Sequence, residues 1–170
     1  VLKLGFGDVA PGDNSKSGEL AVSLTERIFN DVWRHLLCQG VRSTLGGTDK
    51  RPAIYGTDGR RDPIGLLIDA KHYEPKFEYR YPSDPLIVAA IEKSLGQPLD
   101  ETCINLIVRL RQIHRQIEPC HWEAELRTAA LEFGLTPPRP PRLIDRANYF
   151  FVRSVHEHWG YRLGYGQSAD

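Results

Sequence analysis

The chain has 170 residues, 41% hydrophobic and 26% charged, with Lys+Arg and Asp+Glu balanced at 22 each. That length suits one compact domain with a sizeable core, the composition excludes a disordered or fibrous chain, and zero net charge excludes a molecule drawn as a whole to nucleic acid or an anionic bilayer. No apolar run approaches the roughly 20 residues of a spanning helix, so no membrane partner is expected.

Residues 1–18 are rich in Gly, Asp and Ser and read as an irregular N-terminal arm, without the basic and apolar regions of a secretory signal. Residues 19–135 read as a helical core domain. Ser23 and Glu26 have the spacing of a capping box, and Leu24, Ile28, Val32 and Leu36 recur every four residues, predicting a helix that Gly40 stops. From Val41 to Pro52 the sequence turns polar, Gly-rich and basic, as in a surface loop. Asp58-Gly59 is a tight-turn signal and predicts a small β-hairpin near 53–61. Asp62-Pro63 then opens a helix with the carboxylate as cap, and Ile64, Leu67 and Ile68 form its buried face.

The segment Glu74 to Pro82 alternates aromatics with charge through Phe77, Tyr79 and Tyr81, the pattern of a short extended piece, an edge or a loop. Asp84-Pro85 repeats the cap-plus-proline start, and Gly96 ends the third helix. Asp100 begins a fourth, whose broad apolar set of Ile104, Ile107, Val108 and Leu110 marks it as central. Pro119 cannot lie inside that helix, so a fifth starts near it and runs to Gly134, antiparallel to the fourth. Thr136 to Arg142 holds four prolines and reads as a stiff spacer over 136–142, with a C-terminal appendage over 143–170. Within the appendage Ile144 to Trp159 reads as a last helix, with a strand as the alternative because the run Asn148-Tyr149-Phe150-Phe151-Val152 favours β.

The fold class is thus mainly α, a single-domain helical bundle with a small hairpin and a proline-linked appendage. Cys38, Cys103 and Cys120 are odd in number, widely spaced and set in helical pattern, which predicts buried thiols in a reducing, cytoplasmic setting.

Chemistry is sparsely marked. His114, Glu118, His121 and Glu125 would align on an unbroken helix, and Glu118 with His121 matches the spacing of bundle metal sites, but Pro119 interrupts the face. His156 and His158 would share a face only on a strand. These six are weak metal candidates, and no catalytic residue and no cofactor are read from the sequence. Arg60, Arg61, Arg109, Arg111 and Arg115 would form a basic patch if the hairpin lay over the fourth helix, with Tyr55 or Tyr73 beside it to stack a base.

The stretch Tyr55 to Tyr73, with Asp58, Gly59, Gly65, Leu67 and Ile68, resembles a family of small uncharacterised phage, prophage and bacterial proteins whose shared segment runs roughly YRGPDGxxCxxGxLIPDxxY. Ile28-Phe29 and His35 to Gly40 resemble its leading helix, and Leu110 to Leu135 its closing helical pair. Asp62 stands where that family has a cysteine, and Arg115 follows His114 where an acidic residue is expected. The resemblance implies a phage or mobile-element setting, and a Cys-His-Asp chemistry, if the family has one, lacks its nucleophile and its acid here.

The expectation is a non-enzymatic interaction protein that binds a host or phage macromolecule. Its binding residues would be Tyr55, Arg60, Arg61 and Tyr73 together with the tail aromatics Tyr149, Phe151, Trp159 and Tyr161. A protein partner or self-association leads, a metal-dependent hydrolase built on the His and Glu clusters is the alternative, and nucleic-acid binding through the Arg and Tyr patch is third.

Overall fold

The computed structural model of the chain describes residues 22–46, 51–142 and 144–147. Five α-helices form along them, and most starts have a local cause. The Ser23 hydroxyl accepts from the Glu26 N–H at 3.1 Å and caps α1 (Leu24–Gln39). Asp62, Asp84 and Asp100 do the same for α2 (Pro63–Leu67), α3 (Pro85–Leu95) and α4 (Glu101–Gln116). Pro63 and Pro85 sit in first turns, where a missing N–H costs nothing. α5 (Trp122–Glu132) enters differently, through a 3-10 turn at Pro119–His121. Two more 3-10 turns, Ala70–His72 and Pro75–Tyr79, carry the chain from α2 to α3.

The helix with the broadest apolar face is central, as its sequence implies. α4 packs on α1, α2 and α5, while α1 also touches α2 and α5, and α3 lies against α2. Arg109 of α4 reaches both Glu125 and Glu132 across the contact with α5. Trp33 of α1 and Trp122 of α5 are the largest buried side chains, and truncating either to Ala would cost about 3–5 kcal/mol through lost burial and the cavity left behind. Ala129 and Ala130 are also buried, and their small size lets α5 approach closely.

The hairpin expected near 53–61 does not form. The chain does reverse at Asp58-Gly59, where Gly59 takes a φ of 77° and donates to the Gly56 carbonyl at 3.2 Å. Only isolated bridges follow, Tyr55 with Arg61 and Thr44 with Pro52, and no strand is present among the described residues. The reason lies in the flanks. The N–H groups of Ile54 and Tyr55 are taken by the Glu78 carboxylate, Pro52 has no N–H to give, and Asp62-Pro63 turns the chain into α2 before a ladder can lengthen. The local turn signal holds while the strands it would join do not form.

Two smaller expectations also change. Cys38 and Cys103 are buried free thiols, but Cys120 is exposed in the 3-10 turn that Pro119 creates in place of helix. The loop after Gly40 is not wholly surface, since Ser43 is buried. Residues 136–142 run without helix or strand, and 144–147 make one helical turn. The N-terminal arm and the rest of the C-terminal appendage lie outside the described residues. Among those described, no helix is long and apolar enough to cross a membrane.

Candidate functional site

The stretch from Tyr55 to Glu78 folds around one carboxylate. Glu78 accepts from the Ile54 N–H at 2.6 Å, the Tyr55 N–H at 2.9 Å and the Tyr73 hydroxyl at 2.6 Å. The Tyr55 hydroxyl donates to the Ile68 carbonyl at 2.7 Å, the Tyr55 and Tyr73 rings lie 4.2 Å apart, and the Arg61 guanidinium covers Tyr55 at 4.6 Å. Burial pushes the Tyr73 hydroxyl pKa well above its ordinary value, and its bond to Glu78 adds to the rise. The sequence-expected residues Tyr55, Arg61 and Tyr73 therefore do meet, but their polar groups and ring faces are turned to one another. Arg60 pairs separately with Asp58 at 2.5 Å.

Behind this unit runs a buried polar seam. Asp62 caps α2, accepting from the Gly65 N–H at 2.9 Å, and its second oxygen takes Arg111 Nε at 3.0 Å with both side chains buried. Arg111 also donates to the Arg80 carbonyl at 2.7 Å. Burial raises the Asp62 carboxyl pKa, while Arg111 and the Gly65 N–H pull it back. Gly65 is needed for a steric reason: a Cβ there would run into the Ile54 carbonyl oxygen. On the α1 side, His35 Nε2 and Gln39 Nε2 both donate to the Arg61 carbonyl, at 2.8 and 3.1 Å, and Gln39 Oε1 accepts from the Arg61 N–H.

His114 closes the far end of the seam. Its Nε2 accepts from the Ser43 N–H at 3.0 Å, so the ring is neutral with its proton on Nδ1, and it packs on Trp122 with centroids 5.3 Å apart. Burial, reinforced by His35 and by Arg115, Arg42 and Arg111, pushes its pKa down to about 3. Positions 62 and 114, which the family resemblance would join in one reaction, thus serve different partners: Asp62 holds Arg111, and His114 holds the loop backbone.

The weak metal candidates do not converge. Glu118 pairs with Arg42 at 3.1 Å, Glu125 with Arg109 at 3.4 Å, His121 is exposed in the 3-10 turn, and His114 is committed to Ser43. Among the described residues no three His, Cys, Asp or Glu side chains come together as a metal set. The break at Pro119 separates the two halves of the face. His156 and His158 lie outside the described residues. So do the tail aromatics Tyr149, Phe151, Trp159 and Tyr161.

The five arginines of the expected basic patch each have a partner within the chain. Arg109 serves Glu132 and Glu125, Arg111 is buried on Asp62, Arg115 donates to the Pro52 carbonyl at 3.2 Å, Arg60 pairs with Asp58, and Arg61 lies over Tyr55.

What the chain does expose is a different aromatic pair. Tyr79 and Tyr81 are 77% and 82% exposed, more than any other large hydrophobic side chain among the described residues. They flank Arg80, whose backbone is extended and whose carbonyl is held by the buried Arg111. Phe77 and Pro82 are buried on either side and anchor the stretch. The signal is present in the sequence as aromatics alternating with charge, but alternation alone does not say which rings face out. No family model, curated protein or solved structure matches the chain.

Proposed function

We propose that this chain is a non-enzymatic interaction protein that binds a host or phage macromolecule, in the phage or mobile-element setting that the resemblance over Tyr55 to Tyr73 implies. The observation that carries the reading is the exposed pair Tyr79 and Tyr81, held on a fixed backbone. A large ring with few rotatable bonds loses little entropy when a partner covers it, and tyrosine is enriched at interfaces for that reason. The backbone beneath the pair is fixed from three sides, by Phe77, Pro82 and the Arg111 bond to Arg80. Asp62 and His114, the positions at which the resemblance raises a reaction, each hold another part of the fold in place.

The test is capture from host lysate with the natural chain and with the double variant Tyr79→Ser/Tyr81→Ser. A partner retained by the first and lost by the second, with both chains melting at the same temperature, supports the proposal. A partner set indifferent to the substitutions removes these rings from the reading. Hydrolytic activity abolished by chelator and restored by metal would install the metal-dependent alternative instead.

A further inference from the structure

We infer that the tyrosine pair docks on a second copy of this chain, with Tyr79 and Tyr81 of one copy receiving the Arg139 and Arg142 side chains of the other. This rests on the proposed binding role of the pair and names its occupant. The argument begins with residues 136–142, Thr-Pro-Pro-Arg-Pro-Pro-Arg, in which the triplet Pro-Pro-Arg occurs twice. Proline fixes φ and removes the backbone donor, so such a run adopts a left-handed extended helix of three residues per turn. Side chains three apart share an edge: Pro137 with Pro140, Pro138 with Pro141, and Arg139 with Arg142. The burial pattern agrees, since all four prolines are partly covered and both arginines are exposed. Among the described residues neither guanidinium meets a carboxylate, and Arg142 is engaged only through its backbone, its N–H donating to Asp145 and its carbonyl accepting from Arg146.

One surface offers guanidinium cations and the other aromatic ring faces that attract them, and the two are similar in repeat. The tyrosine ridge has its own cations neutralised, Arg80 by Asp84 at 2.7 Å and Lys76 by Glu74 at 2.6 Å, so it offers electron-rich ring faces without a free positive charge to hold phosphate. A ring face of this kind attracts a guanidinium within about 6 Å of its centroid. Two arginines on one edge stand about 9 Å apart along the axis, and two tyrosines separated by one extended residue stand about 7 Å apart, a difference that long side chains absorb. Zero net charge means two copies do not repel each other as wholes. The rings stay exposed within one copy, so the chain's own arginine edge does not cover them. A two-fold pair would make the contact twice, which suits a weak, concentration-dependent dimer.

Sedimentation of the full chain from about 1 to 500 μM tests this, a span chosen for dissociation constants in the micromolar range. The expected result is a monomer–dimer equilibrium that both Tyr79→Ser/Tyr81→Ser and Arg139→Ser/Arg142→Ser shift to monomer, with unchanged melting temperatures at the dilute end, where every chain is monomeric. A benzophenone amino acid replacing Tyr81 should then cross-link to peptide 136–142 of an isotopically labelled second copy. A monomer throughout, a dimer that survives either double variant, or cross-links confined to one copy would each overturn the inference. The proposed function fails separately: it stands if the chain is monomeric yet the tyrosine variant still loses a lysate partner, and both fall if the tyrosine variant changes neither.

Discussion

Four tyrosines fall between positions 55 and 81, and they divide into two pairs with opposite roles. Tyr55 and Tyr73 stack on each other and donate both hydroxyls inward, to the Ile68 carbonyl and to Glu78. Tyr79 and Tyr81, a few residues on, are largely exposed. Composition is the same; the difference is where Glu78 and Arg111 fasten the backbone. Glu78 draws the first pair together by accepting from Ile54, Tyr55 and Tyr73, whereas Arg111 grips the main chain at Arg80 and leaves the neighbouring rings outside. A motif rich in aromatic and charged residues is therefore a clasp in its first part and a presented surface in its second.

The strongest way to break that division is through the buried ion pair that supports both parts. Arg111→Ala leaves Asp62 charged and buried without its partner, and should cost about 3–5 kcal/mol in urea denaturation. Asp62→Asn should cost a comparable amount, because it keeps the cap on Gly65 but strands the arginine. A reading of Asp62 as a cap alone expects about 1 kcal/mol for Asp62→Ala and much less for Asn, so the Asn variant separates the two accounts. Asp62→Leu with Arg111→Met, which replaces both charges by apolar groups, should recover most of the loss. If the single variants were harmless, the seam would not be what holds Arg80 and the ridge in place.

Acid acts on the other end of the seam. His114 has a folded pKa of about 3 against an ordinary 6.5, so the unfolded chain takes up a proton that the folded chain refuses. Its contribution is complete above about pH 6.5 and is lost as pH falls towards 3, with a slope of up to about 1.4 kcal/mol per pH unit. Asp62, with its folded pKa raised by burial, has the opposite sign just above 3.8, where stability declines as pH rises. The His114 component is isolated by comparing stability from pH 7 to 5 with that of His114→Gln, which should be flatter across this window. Identical slopes would mean that His114 is not the group refusing the proton. The protection factor of the Ser43 amide, corrected for the intrinsic pH dependence of exchange, should fall in step, because the opened chain takes up the proton that the folded ring refuses.

These long-range ties are what the sequence does not disclose. Caps and helix starts at Ser23, Asp62, Asp84 and Asp100 are legible because each satisfies an N–H within three residues of itself. The central placement of α4 is legible from its broad apolar face. Arg111 with Asp62, Glu78 with Ile54 and Tyr55, and His114 with Ser43 join residues far apart in the chain, and no periodicity encodes such pairings. The hairpin expectation fails for the same cause: its turn is local, but the carboxylate that takes its edge N–H groups comes from Glu78. The candidate surface is half legible, since alternation along Glu74 to Pro82 flags Phe77, Tyr79 and Tyr81 together while only tertiary packing buries the first and exposes the others.

The smallest expected effects sharpen the contrast between the tyrosine pairs most directly. Tyr73→Phe removes a donor from a partly buried carboxylate and should cost about 1–3 kcal/mol, and Tyr55→Phe should cost about 1 kcal/mol by leaving the Ile68 carbonyl without that donor. Tyr79→Phe and Tyr81→Phe remove hydroxyls for which the described residues provide no partner, so each should fall within about 0.5 kcal/mol of the natural chain, as surface changes do. Urea midpoints for the four variants, measured under one condition, decide the matter. Binding should run the other way, with serine at positions 79 and 81 weakening it and Tyr73→Phe sparing it, because stability and recognition draw on different tyrosines. Were Tyr79→Ser/Tyr81→Ser to destabilise the fold as much as Tyr73→Phe, the ridge would be part of the structural clasp, and the exposed pair would lose its standing as the surface that a partner reads.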